Sequence, residues 1–414
     1  MSKTVWMINH YAGNMPGERG GRHYWFAKYL QAAGEYQPVI FVCNIKHPGT
    51  ERFFDFDGLW EEHEAEEIRT PFIYINARMY SDNGKERVLN MISFYRNMLK
   101  TADQYAKAHG KPDVILASSA HPLTMVAGIK IAKRFGIQCI CEVRDLWPES
   151  IVAYKNARKD SAAMKALYRG EKWIYTKADQ LIFTMEGAYD YIKRQGWEKD
   201  IPREKVHLIN NGVDLEQYEE NLRNYTVDDE DLNEDKLFKV IYTGSIRKAN
   251  HIDLLVEAAK ALQGRNIKIL VWGSGEELEG LQQAADGLEN IRFKGRVQKA
   301  EIPSVLRKGD ALFLDAFDER VAQYGISSNK LFEYFAAGKP ILMNRIPQYN
   351  PAAKHGCQIE YECTGEGVAR AIEKTAGMDP DEYAALCARA GEAAREYSFR
   401  ELTAKLAEVI KMTV

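Results

Sequence analysis

Residues Lys239–Leu262 read KVIYTGSIRKANHIDLLVEAAKAL. An apolar run of strand length, Lys239–Tyr242, meets a tight Gly244–Ser245 turn, and a helical pattern follows from Ile252 to Leu262. Strand, turn and helix in that order are one step of a parallel, doubly wound sheet. The same alternation runs outward in both directions. Thr4–Asn9, Pro38–Val42, Val114–Ala117, Gln138–Val143 and Gln180–Phe183 form a first series of predicted strands. Val206–Ile209, Lys239–Tyr242, Lys268–Trp272, Ile291–Lys294, Ala311–Leu314 and Pro340–Met343 form a second. Helices such as His23–Ala33, Leu123–Phe135 and Glu277–Ala285 fit between them. The fold class is therefore α/β. The 414 residues suit two doubly wound domains, divided near Gly196–Pro202, with a cleft between them. In such sheets ligands bind at the carboxyl ends of the strands.

Composition narrows the classes. With 45% hydrophobic and 28% charged residues, the chain has material for two cores. A net charge of −3 argues against a general nucleic-acid binder. No apolar run reaches 18 residues, and MSKTVWMINHYAG reads as a first buried strand rather than a leader. The six cysteines are scattered, which suits free thiols in a reducing cytoplasm. Segment Glu216–Asp235, with nine acidic residues against one arginine, reads as a solvated insertion.

The most chemical stretch is YGISSNKLFEYFAAGKP, Tyr324–Pro340. Small residues Gly325, Ser327 and Ser328 lead into a helix that Gly338 and Pro340 end. The free N–H groups of a helix start attract anions. Lys330 in the first turn opposes the helix dipole, a placement that expects an anion there. Glu333, one turn on, can accept from sugar hydroxyls. Phosphate and sugar together indicate a nucleotide sugar, set against a capped helix in an ordinary α/β domain.

Further loops follow other strands. GNMPGERGGR, Gly13–Arg22, brings Gly20 and Gly21 to a helix start without the spacing of a dinucleotide fingerprint. SSAHPLT places His121 at a helix cap, able to donate to a phosphate or sugar hydroxyl or to serve structure alone. EVRDLWPES, Glu142–Ser150, is a charged cluster that fits a site or an ion-pair network. In YTGSIRKANH, Arg247 and Lys248 suit a leaving diphosphate. WGSGEE lacks the third glycine of a dinucleotide site. Metal binding has little support, since Asp55–Phe56–Asp57 lies away from these loops.

In order, GERGGR, SSAHPLT, EVRDLWPES, INNGVD, YTGSI, VWGSGEE, FKGRV, SSNKLFEYFAAGKP and YSF resemble the retaining glycosyltransferases of family 4. The likeness is greatest to the WbuB-like branch, aminosugar transferases of bacterial surface polysaccharides. It implies the GT-B fold, with two Rossmann-like domains. Residues 1–200 would bind the acceptor, 201–395 the nucleotide sugar, and the final helix, 396–414, would cross back to the first domain. By motif, Glu333 would hold the donor ribose and the backbone of Ser327, Ser328 and Asn329 the diphosphate. Gly244, Ser245, Arg247, Lys248 and Lys330 would surround that charge. Gly20 and Gly21 would close over it, His121 would lie near the transferred sugar, and Arg296 with Val297 would line the base pocket. Many members carry a second glutamate where this chain has Gly325. Asp318 and Glu319 are candidates to replace it, and its loss suggests a deoxy or N-acetylated donor sugar. Relatives often carry Lys-Gly where this chain has Asn250–His251.

The expected reaction is retaining transfer from a UDP-sugar, without metal or other cofactor, to a saccharide or polyprenyl-diphosphate-linked acceptor in O-antigen or capsule synthesis. Asn76–Lys111, with seven Lys/Arg against three Asp/Glu, suggests an amphipathic basic helix on an anionic membrane surface at the inner face of the cell membrane. A helix packed on its own domain is the competing reading. Rivals for function are a GDP-sugar transferase, a non-catalytic nucleotide-sugar binder, and a dinucleotide-dependent epimerase or dehydrogenase. For the last, Tyr168 and Lys172 have the catalytic spacing but no fingerprint accompanies them.

Overall fold

The computed structural model describes residues 2–82, 84–119, 121–155, 157–315, 319–346 and 348–414, without the side chains of 154, 155, 319 and 320. The chain divides into two compact units, residues 2–210 with 399–414, and residues 211–398.

In the first unit β1 (Lys3–Ile8), β2 (Tyr36–Cys43), β3 (Trp60–Ala65), β4 (Thr70–Ile75), β5 (Val114–Ser118), β6 (Gln138–Val143), β7 (Gln180–Phe183) and β8 (Val206–Leu208) form one sheet. Its order is β8-β7-β6-β5-β1-β2-β4-β3. All neighbours are parallel except β3 and β4. Helices cover both faces of the central strands, so β5 is buried at every position and reads as an apolar run from Val114 to Ala117. The β3–β4 hairpin escapes sequence reading because Glu61, Glu62 and Glu64 interrupt β3. Charge of that kind suits an edge strand that must not pair further. Val206–Leu208 corrects the sequence division: it pairs with β7 at the far edge of this sheet rather than opening the second series.

The second sheet contains β9 (Phe238–Ser245), β10 (Ile267–Ser274), β11 (Ile291–Gly295), β12 (Ala311–Leu314), β13 (Ile341–Asn344) and β14 (Gln358–Tyr361). It is wholly parallel, in the order β11-β10-β9-β12-β13-β14. The acidic segment before it is not simply solvated. Asp231 pairs with Lys268 of β10 at 3.0 Å, and Asp229 with Lys294 of β11 at 2.8 Å, all four side chains being largely covered. The carboxylates are drawn to lysines that would otherwise be left charged and partly buried, one on the edge strand β11 and one on its neighbour β10.

Five helices bear on function. These are α1 (Arg22–Ala32), α2 (Lys85–His109), α3 (Pro122–Phe135), α4 (Asn329–Ala337) and α5 (Phe399–Lys411). Helix α5 belongs to the first unit's core, with Phe399, Leu402, Leu406, Val409 and Ile410 buried among residues that include Trp25 and Phe26 of α1. Each such side chain contributes roughly 1.5–3 kcal/mol on burial. In α2, Met91, Phe94, Met98, Ala102 and Tyr105 are buried. The apolar stripe that suggested membrane contact is thus largely occupied by packing within its own unit. Among the described residues no helix is long and apolar enough to cross a membrane.

Candidate functional site

In the second unit, β9 and β10 run in register until both end in Gly-Ser, Gly244 opposite Gly273 and Ser245 opposite Ser274. Beyond these ends lies a cavity of about 330 Å³. Its lining brings together Gly244, Ser245, Arg247, Arg296 and Val297, five residues singled out in the sequence. It adds Trp272 and Ser274, which sequence reading set aside because their loop lacks a dinucleotide spacing.

Helix α4 supplies the next layer. A Cβ on Gly244, whose φ is +140°, would stand 2.1 Å from Lys330 Cε, so the lysine side chain lies directly across the glycine. Its Nζ is 5.2 Å from the centre of the Tyr242 ring. Burial lowers the Lys330 pKa; Glu333 opposes that shift and Arg247 reinforces it. Burial likewise raises the Glu333 carboxyl, against the pull of Lys299 and Lys330. Two cations and a carboxylate are therefore gathered at the end of β9 at some electrostatic cost. Ser328 caps α4 with its backbone while its side chain makes no cap hydrogen bond. Asn211, in the INNGVD motif but assigned no role from sequence, donates from Nδ2 to the Ser327 carbonyl at 2.6 Å and holds the loop into α4. Lys248 is exposed in a short turn and is absent from the cavity lining.

Both departures from the family pattern have a structural form. Asn250 turns inward, its Nδ2 donating to the Ser245 carbonyl at 2.6 Å, so it braces the turn rather than adding charge. His251 has φ +45°, a conformation favouring glycine, and its Nδ1 is 2.7 Å from Oδ1 of buried Asp315. Gly325 is buried with φ +120°. Asp318 and the side chain of Glu319, the candidates to replace the glutamate, lie outside the described residues.

Gly20, Gly21 and His121 are in the first unit. Gly21, with φ +113°, caps α1. His121 caps α3, but its side chain is fully buried, with Nε2 3.0 Å from Nδ1 of His10. Burial, reinforced by Arg87, lowers its pKa to about 3, so the ring is neutral. Beneath these loops the charged motifs converge on one ionic knot. Arg22 Nε donates to Glu142 at 2.8 Å, and its two terminal nitrogens donate to the Asn210 and Ile209 carbonyls at 2.6 and 2.7 Å. Ser118 donates to the other Glu142 oxygen at 2.6 Å, and His23 Nε2 lies 3.1 Å from it. Burial pushes the Glu142 carboxyl up, yet Arg22 and His23 outweigh it and hold the group well below the usual range. EVRDLWPES is thus, at Glu142, an ion-pair network that fixes the chain's exit from this unit.

Comparison with known proteins finds two family models. A family model described as Glycosyltransferase Family 4 matches residues 24–217, and one described as Glycosyl transferases group 1 matches residues 238–377. The probable glycosyltransferase WbjE of Pseudomonas aeruginosa is 22% identical over 289 residues, 67% of this chain and 69% of that protein. A glycosyltransferase structure from Rickettsia africae superposes with a TM-score of 0.65 at 14% identity, covering 99% of this chain and 98% of the other. HepE from Anabaena, in complex with UDP, superposes with a TM-score of 0.67 at 13% identity over 99% and 100% of the two chains. A glycosyltransferase family model thus matches most of each α/β unit, family 4 on the first and group 1 on the second, in a chain of GT-B fold.

Proposed function

We infer that this glycosyltransferase takes a UDP-sugar in its second unit and moves the sugar to an acceptor hydroxyl with retention of anomeric configuration. The observation that carries the reading is Lys330 laid across Gly244, beside a cavity lined by Arg247 and Arg296, with Glu333 one turn away. Lys330, Arg247 and the N–H groups at the start of α4 meet the diphosphate, whose negative charge grows as the glycosidic bond breaks toward an oxocarbenium-like state. These cations perform that neutralisation without a metal ion. Glu333 accepts from the ribose, and the loop of Arg296 and Val297 lines the base pocket. UDP is favoured over GDP by the likeness to HepE, solved with UDP and with UDP-glucose.

The donor sugar in this reading is a deoxy or N-acetylated hexose, consistent with glycine at position 325. The acceptor is a saccharide or a lipid-diphosphate-linked sugar of a surface polysaccharide, bound by the first unit. A thermal-shift screen with UDP, GDP and a panel of their sugars tests the donor assignment. UDP and one or a few UDP-sugars should raise Tm by several degrees, and the stabilising sugar should support release of UDP. Stabilisation by GDP alone would replace the donor base. Binding of a UDP-sugar with no UDP release under any acceptor would favour the non-catalytic binder instead.

A further inference from the structure

His251 and Asp315 form a pair in the second unit that the donor assignment leaves without a task. The imidazole Nδ1 stands 2.7 Å from Asp315 Oδ1, and Asp315 Oδ2 accepts from Tyr361 Oη at 2.8 Å. Burial, reinforced by Asp315, raises the Tyr361 pKa well above its usual range, so the phenol keeps its proton and donates it. The Tyr361 ring is stacked on Phe313 of β12, with 5.5 Å between ring centres. An aspartate carboxylate only accepts, so Nδ1 carries the ring proton and leaves Nε2 as an acceptor. The Asp315 side chain is 1% exposed and that of His251 45% exposed. One edge of the ring is fixed and the other is open.

This fixing is accompanied by backbone strain. His251 has φ +45° and ψ +46°, in the left-handed region that favours glycine. Its N–H donates to the Lys248 carbonyl at 3.2 Å, and its own carbonyl accepts from the Leu254 N–H at 3.2 Å. Both bonds are made by backbone, so the turn into helix Asp253–Ala261 asks for a left-handed residue and not for an imidazole. Strain of this kind gathers at ligand sites.

The sheet gives the open edge something to meet. Strands β9 and β12 pair as far as Ile241 opposite Leu312, and three residues further along each come Gly244 and Asp315. The pair therefore stands beside the glycine that Lys330 crosses. In the order β11-β10-β9-β12, neighbouring strands are about 4.8 Å apart. The donor proposed above has its base at Arg296 and Val297, just past β11, and its diphosphate at Gly244 on β9. Continued in the same direction, the next group of a nucleotide sugar, the hexose, comes over the end of β12.

We propose that His251 Nε2 accepts a hydrogen bond from a hydroxyl or amide N–H of the transferred sugar, and that Asp315 is the positioning residue that sets the ring's orientation and tautomer. The proposal rests on the donor reading and adds to it a residue that selects the sugar.

Calorimetry on the intact protein tests it, with UDP and with the UDP-sugar that the thermal-shift screen selects. His251→Asn keeps a residue that tolerates the left-handed backbone and an amide near the place of Nδ1, but removes Nε2. It should weaken UDP-sugar binding about 5- to 10-fold and leave UDP within about twofold, with Tm little changed. His251→Gln, whose amide reaches the place of Nε2, should recover part of the loss. In transfer assays the preference of the wild type for its sugar over the other UDP-sugars of the panel should shrink by a similar factor in His251→Asn. Equal losses on UDP and UDP-sugar would place His251 at the nucleotide, and no loss on either would leave it to the fold alone; both outcomes overturn the proposal. If the protein takes GDP and a GDP-sugar instead, the same split on that pair leaves His251 its role and replaces only the donor base. A wild type that binds no nucleotide sugar overturns the donor reading and this proposal with it.

Discussion

Lys330 lies across Gly244, so close that a Cβ on the glycine would stand 2.1 Å from the lysine's Cε. The glycine and the lysine are 86 positions apart in sequence yet act as one element. The bare backbone at the end of β9 is what lets the lysine side chain lie across Gly244, itself a lining residue of the cavity. Gly244→Ala should therefore weaken UDP binding about tenfold or more by displacing Lys330, and Lys330→Ala should do so about 10- to 100-fold. In the double variant the losses should not add, because both act through the same ammonium. Calorimetric titration of UDP into the four proteins measures the cycle. Additive losses would mean that the glycine does not act through the lysine, and no loss in Lys330→Ala would mean that the lysine does not serve the diphosphate.

Arg22 and Glu142 call for a different outcome. Both are buried and the arginine also holds two backbone carbonyls, so removing either partner strands a charge. Arg22→Ala should cost about 3–5 kcal/mol of stability, read from denaturant unfolding. UDP affinity of the folded protein should stay within about twofold, since the network lies in the first unit. A large loss of UDP affinity with stability intact would make Arg22 a ligand-binding residue instead.

These two cases show what was legible in the sequence. The βα alternation announced both sheets because strands covered on both faces are built from apolar runs, as β5 is from Val114 to Ala117. The hairpin of β3 and β4 stayed hidden because an edge strand tolerates charge. At the site, Gly244, Arg247 and Lys330 stand out because a tight glycine turn after a strand and cations at a strand end and a helix start together suit an anion, whereas Arg296 comes only with the family resemblance. Asn211 could not, since its role is a single side-chain bond to the Ser327 carbonyl, 116 residues away, and nothing local encodes it. Glu142 read equally well as a site or a network; only burial and its partners decide for the network.

Burial sets a pH response. His10, His23 and His121 are all buried in the first unit, and burial is the leading cause that lowers each pKa, His121 to about 3. Below pH ~6.5 the unfolded chain takes up protons that the folded chain refuses, so stability falls as pH falls. Each ring contributes up to about 1.4 kcal/mol per pH unit in that range. Glu142 adds its own loss only further down, as pH falls below the ordinary carboxylate range toward its depressed folded value. Urea unfolding at pH 7.5, 6.5 and 5.5 should show a declining free energy, with a shallower slope in His121→Gln. A flat profile between pH 7.5 and 5.5 would show that these rings are charged in the folded protein.

Gly325 bears on the donor sugar. Its φ of +120° lies where side chains are rarely accommodated, and the residue is buried. The glutamate common at this position in the family is therefore not merely absent; the backbone here disfavours it. Gly325→Glu should destabilise the protein by about 1–3 kcal/mol and should not raise transfer from UDP-glucose. Gly325→Ala should show a similar backbone cost with no carboxylate, which separates strain from charge. If the glutamate variant gained activity toward an unmodified hexose at full stability, the loop would be able to adopt the family conformation. The preference for a deoxy or N-acetylated sugar would then have to come from elsewhere in the site.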